Sequence, residues 1–237
     1  LAFWNSVKPQ MVDSSEFDSG PHPAAAPRGL SDEAANLLTH AAGLVLSVVA
    51  TAALLIVVRR QGDVWQIVGC SIYGATLVSL YAASTLSHSF QNPRLRLFFR
   101  LLDQVCIFLL IAGTYTPFAL AYLREGWWWL LLASIWGMAA LGIFFKIFFR
   151  RMNNVATAAY VIMGWLPALA VRPISQRMPD AALAWILAGG VLYTVGTIFL
   201  SRDERVRYFH ALWHLFVIAA SACHWVAVMY FVVPWPK

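Results

Sequence analysis

Seven long apolar runs dominate this chain of 237 residues, and few folds tolerate that pattern. A helix needs roughly 20 apolar residues to cross the hydrocarbon core of a bilayer. The runs Leu37–Val58, Val64–Ser87, Leu101–Leu123, Gly126–Phe145, Val155–Val171, Ala181–Leu200 and Phe209–Val233 approach that length. Brief breaks carrying turn or charged residues separate them, such as Arg59-Arg60-Gln61-Gly62-Asp63, Gln91-Asn92-Pro93 and Ser201-Arg202-Asp203-Glu204. In lipid the backbone must satisfy its own polar groups within a segment, so such runs read as helices. The pattern predicts an all-α polytopic membrane protein, a seven-transmembrane-helix bundle over residues 31–237. The fifth run is short, and Pro167 within it is placed to kink or end a helix.

Composition narrows the alternatives. The chain is 60% hydrophobic and 12% charged, against roughly 45–50% and about 25% for a soluble domain. That balance excludes an ordinary soluble domain, a disordered chain and a disulfide scaffold. Cys70, Cys106 and Cys223 all lie inside apolar runs without a CxxC pair, and they read as small core residues. The net charge of +6 does not point to nucleic acid, because the cations fall in short clusters between apolar runs. The expected partners are therefore membrane lipids and no nucleic acid. Residues 1–30 differ in kind: Pro21, Pro23 and Pro27 alternate with small and acidic residues, which predicts a flexible tail. The tail has no basic region followed by an apolar stretch, so it does not read as a signal peptide.

With seven spans, loops alternate between the two sides, and Lys and Arg collect on the cytoplasmic one. One side would hold eleven cations, including Arg94, Arg96, Arg100, Lys146, Arg202, Arg205 and Arg207; the other would hold six. This predicts a cytoplasmic N-terminus and an outside C-terminus.

Ionisable residues within spans are costly and count as functional candidates. They are few here: His40, His88, Asp103, His210, His214 and His224. On the seven-span topology, His88 ends helix 2, Asp103 starts helix 3, and His210 and His214 occupy the first turns of helix 7. All four then share one inner depth. His210 and His214 stand at i and i+4, on one helix face, the spacing with which two imidazoles hold one zinc ion. Three histidines with an open fourth position make a catalytic type of zinc site. Asp103 is either a ligand, a group that orients or deprotonates a bound water, or a helix cap paired with Arg100. Ser84 lies four residues before His88 on the same face, from which its hydroxyl could reach the same water. His224 is ten residues beyond His214, about 15 Å along the axis, too far to share the ion, and reads as a buried hydrogen-bonding histidine. Glu33, Asn36 and His40 share one face of helix 1 and read as packing or site-lining polar groups.

Several segments together resemble the hemolysin III family, which belongs with the progestin and adipoQ receptors, including the adiponectin receptors. They are Ser84-Thr85-Leu86-Ser87-His88, Leu102-Asp103, Gly113-Thr114-Tyr115-Thr116-Pro117, His210-Ala211-Leu212-Trp213-His214 and Cys223-His224-Trp225, with Glu33-Ala34-Ala35-Asn36 and Thr39-His40 at the start. The resemblance covers about residues 31–233. One departure is Ser87, where many bacterial members carry Tyr, and it is not a ligand position. The resemblance implies a seven-helix bundle with zinc near the cytoplasmic face, held by His88, His210 and His214. Asp103 would act through a water on the metal, and Ser84 would line the site. The wider superfamily includes alkaline ceramidases, which implies metal-dependent hydrolysis of a lipid-like amide or ester, with a lipid substrate arriving from the bilayer. It also implies a role in membrane lipid homeostasis and a place in the bacterial inner (plasma) membrane. Two other readings stand beside it: a zinc-stabilised receptor or sensor without catalysis, and a cytolytic pore former.

Overall fold

The computed structural model describes residues 30–124, 129–149 and 153–234. The expected flexible tail, 1–30, lies outside the described residues but for its last position. Helices follow one another along the chain: α1 (Leu30–Gln61), α2 (Val64–Ser89), α3 (Pro93–Tyr122), α4 (Trp129–Phe148) and α5 (Asn153–Trp165). A 3₁₀ turn (Leu166–Ala170) leads into the short α6 (Val171–Ser175), then α7 (Asp180–Leu200) and α8 (Phe209–Ala227). The end of α8 widens into a π-helical turn over Val228–Val232.

Local chemistry sets several of these boundaries. Between α1 and α2, the Gln66 amide donates to Asp63 Oδ1 at 2.8 Å, and the Asp63 amide donates to Gln66 Oε1 at 2.6 Å. This capping box satisfies two of the amide donors that a helix start leaves open. Asn92 caps α3, accepting from the Arg94 amide at 2.9 Å, and Pro93 follows where its missing N–H costs nothing. Pro167 falls in the 3₁₀ turn that ends α5.

Burial is inverted relative to a soluble protein. Val45, Leu46, Val49, Phe144, Phe148 and Ile162 are exposed, which is the surface a lipid solvent requires. Polar side chains face inward and tie helices to one another. The Tyr81 hydroxyl donates to Ser221 Oγ at 3.1 Å, and the Trp225 indole donates to the Ala50 carbonyl at 2.9 Å. Small residues let backbones approach in such bundles. Gly69 on α2 is one of them, since a Cβ there would stand 2.7 Å from Cα of Pro117 on α3. The principal core joins α2, α3 and α8 through Tyr73, Leu80, Cys106, Leu110 and Val217. A second cluster joins α3, α4 and α5 through Phe108, Ile135, Tyr160 and Met163.

The molecule is an integral membrane helical bundle, but the expectation of seven spans is corrected. Among the described residues five helices are long and apolar enough to cross: Asp32–Gln61, Val64–Ser89, Trp129–Phe148, Asp180–Leu200 and Phe209–Val232. The expected third span lies in α3, whose first turns carry Arg94, Arg96, Arg100 and Asp103. That helix is not among the five, and Pro117 lies inside its apolar part. The expected fifth span is interrupted at Trp165, leaving a shorter apolar segment, Val155–Leu169. The cytoplasmic N-terminus and outside C-terminus were to follow from counting loops across seven crossings, so that assignment no longer follows.

Candidate metal centre

Helix ends bring three histidines together. His88 lies in the last turn of α2, and His210 and His214 lie one turn apart at the start of α8. One ligand atom from each lies within 4.8 Å of the other two, and the group is largely buried. The His210 and His214 ring centroids are 4.5 Å apart, and His88 stands 5.2 and 5.3 Å from them. The three residues that the resemblance implies as ligands are thus brought to one point.

The other ring nitrogen of each histidine is already engaged. His88 Nδ1 is 2.9 Å from Glu33 Oε2, and His210 Nδ1 is 2.6 Å from Asp203 Oδ2. A carboxylate only accepts, so both Nδ1 atoms carry the proton. His214 Nδ1 is 3.0 Å from Thr39 Oγ1. The Thr39 hydroxyl spends its single proton on the carbonyls of Ala35 and Asn36, at 2.9 and 3.0 Å. It therefore accepts from His214 Nδ1–H. All three rings are fixed in the tautomer whose Nε2 lone pair is available to a metal. One ring nitrogen from each histidine lies within 4.8 Å of the others, close enough for a single cation to be shared. The donor set fits a metal ion, and imidazole suits zinc, copper, nickel or iron.

The first turn of α1 anchors this arrangement. Glu33 contacts both His88 and Arg96 at the start of α3, and Asp32 pairs with Arg207 at 3.3 Å. Between α7 and α8 the chain turns through residues 201–208, and Tyr208 adopts a left-handed φ of 61° immediately before α8. That turn carries Asp203 back to His210. Tyr208 pays about 1–2 kcal/mol of backbone strain for it.

Asp103 and Ser84 line one cavity with His40, His88, His210 and His214. The cavity measures about 1290 Å³ and continues along apolar walls that include Ile107, Leu110 and Ile135. Asp103 stands beside Ser84 and within electrostatic reach of Arg100, and it does not join the three-histidine group. His224 lies apart from the group; its Nε2–H donates to the Ile186 carbonyl at 3.1 Å.

Sequence reasoning gave Thr39 and Asp203 no part in the site and left Glu33 as a packing or lining residue. Asp203 stood among loop charges, and its seven-residue separation from His210 gave no helical signal. Thr39 was one hydroxyl in an apolar helix, and only the packing of α1 on α8 shows which ring it faces.

A family model described as Haemolysin-III related matches residues 28–225. Hemolysin-3 of Bacillus cereus is 43% identical over 206 residues, covering 86% of this chain and 94% of that protein. The hemolysin-3 homolog of Bacillus subtilis is 38% identical over 208 residues, with 87% and 97% covered. The human monocyte to macrophage differentiation factor is 32% identical over 207 residues, with 83% of each chain covered.

Proposed function

The chain belongs to the haemolysin-III related family, itself related to the progestin and adipoQ receptors, and we propose that it is a zinc-dependent hydrolase of a lipid-like amide or ester. His88, His210 and His214 would hold the ion. The observation that carries this reading is three imidazoles with a ring nitrogen each within 4.8 Å of the others, every ring held by an Nδ1 hydrogen bond. A zinc ion in such a site supplies Lewis acidity, polarising a carbonyl and lowering the pKa of a bound water to about 7.

The chain's own groups supply the rest. Asp103, outside the ligand group but on the same cavity wall, takes a proton from water as general base. Ser84, on the same cavity wall as Asp103, lines the site beside it. The apolar walls hold an acyl chain that enters from the bilayer, which places the activity in membrane lipid homeostasis. A purely structural zinc would call for a fourth protein ligand. Among the described residues no carboxylate, thiolate or further histidine joins the three, which favours an open position.

The histidine-bearing end also carries Arg94, Arg96, Arg100, Arg202, Arg205 and Arg207, which supports a cytoplasmic placement. Similarity to the two Bacillus proteins supports a bacterial plasma membrane. The test is hydrolysis by purified, zinc-loaded protein. His88→Ala should remove both bound metal and turnover, whereas turnover unchanged in metal-free His88→Ala would overturn the proposal.

A further inference from the structure

One histidine at this end of the bundle has no role in the ligand set. His40 lies on α1, is 3% exposed, and lines the cavity beside the metal centre. Its ring lies against that of His214, with centroids 3.4 Å apart and planes tilted by 33°, and meets Tyr81 edge-on at 5.2 Å. Neither ring nitrogen has a hydrogen-bond partner among the described residues. The Ser84 hydroxyl, fully buried on the same cavity wall, is likewise without one. Buried polar groups in folded proteins are nearly always hydrogen-bonded, and the penalty for leaving one unmet grows in a low-dielectric interior. The partner of His40 therefore comes from what occupies the cavity.

A neutral imidazole carries one donor and one acceptor nitrogen. The occupant of a long, mainly apolar cavity with a polar end is an amphiphile whose head lies at that end. An amide head brings an N–H, which meets the acceptor nitrogen of His40. An ester of the same length has no such donor and leaves that nitrogen unmet. Sites built around a buried hydrogen bond reject analogues that lack the matching group.

We propose that His40 is a specificity-determining residue that accepts the N–H of a lipid amide and so selects amides over esters. The proposal rests on the hydrolase reading for its substrate, and it assigns His40 a contact with that substrate and no bond to the metal.

The test is competition between N-ethyl dodecanamide and ethyl dodecanoate for the full-length, zinc-loaded protein in detergent micelles. A fluorescent undecanoyl probe reads their displacement, and kcat/KM is measured in parallel. The wild type should favour the amide by about tenfold or more. His40→Phe, which keeps a ring against His214, should bring the ratio to about one while zinc content and Tm hold. His40→Gln, which restores an acceptor oxygen, should recover part of the preference even if His40→Phe proves poorly folded. No amide preference in the wild type would overturn the proposal. A preference that persists in His40→Phe would also overturn it, because His40 would then be serving an ordered water only. Preferential amide binding without any turnover would leave this subsite standing and sink the hydrolase reading. Equal kcat/KM for both lipids would do the reverse.

Discussion

Replacing Glu33 by Gln tests whether the site is held in place from α1. Glu33 Oε2 accepts the Nδ1 proton of His88 at 2.9 Å, and the carboxylate also contacts Arg96. Its side chain is 22% exposed, so solvent screens the pair only in part. A hydrogen bond to a charged group contributes about 1.5–3 kcal/mol, and a neutral one about 0.5–1.5 kcal/mol. Glu33→Gln keeps the volume and one acceptor oxygen but discards the charge, a loss on the order of 1–2 kcal/mol in the orientation of His88. At 1.4 kcal/mol per factor of ten, zinc should bind about 5- to 30-fold more weakly. That overlaps the roughly 10–100-fold cost typical when a partner behind a metal ligand is removed. The assay is a competition titration of full-length protein in detergent against a chromophoric chelator. Arg96→Gln serves as a control, because it leaves the Glu33–His88 bond intact and should shift affinity by less than about threefold. Zinc affinity within about twofold of wild type in Glu33→Gln would refute the reasoning.

Further outcomes follow from the same structure. Asp103→Asn should retain zinc but lower turnover by about 10²–10⁴-fold, the range a general base contributes, as read from metal content and initial rates on one preparation. Chelation of the metal should lower Tm, since an ion bound only by the folded state stabilises it by mass action, and re-addition of zinc should restore it. Gly69→Ala forces a methyl group against the Pro117 backbone and should destabilise by about 1–3 kcal/mol in thermal unfolding. Gly137→Ala, where a Cβ meets nothing within 4 Å, should be neutral or should stabilise α4 by up to about 1 kcal/mol.

The part of the account legible in the sequence is the part carried by local periodicity. Apolar runs with charged breaks locate the main helices, and the i, i+4 spacing of His210 and His214 locates one face of the centre. The place of His88 at the end of its apolar run sets it at the same depth, the resemblance makes the three a ligand set, and the structure brings their rings together. Run length alone overstated the spans: it did not weigh the arginines that open α3, and it counted the fifth run although Pro167 marked it as one that could end early. The supporting oxygens of Glu33, Thr39 and Asp203 were hidden for a different reason. Each reaches its histidine across a helix–helix or loop–helix contact whose register no local pattern encodes. His40 stood in the sequence as a polar residue in an apolar helix, and only its contact with His214 and its two unmet nitrogens set it apart.

X-ray absorption at the zinc K-edge, on protein purified without added chelator, tests the central claim most directly. The account predicts stoichiometric zinc with three imidazole nitrogens at about 2.0–2.1 Å and a fourth position filled by a non-protein oxygen. His210→Ala should remove one nitrogen from that shell or abolish binding. Absence of a metal–imidazole shell, or closed coordination completed by the Asp103 carboxylate, would contradict it.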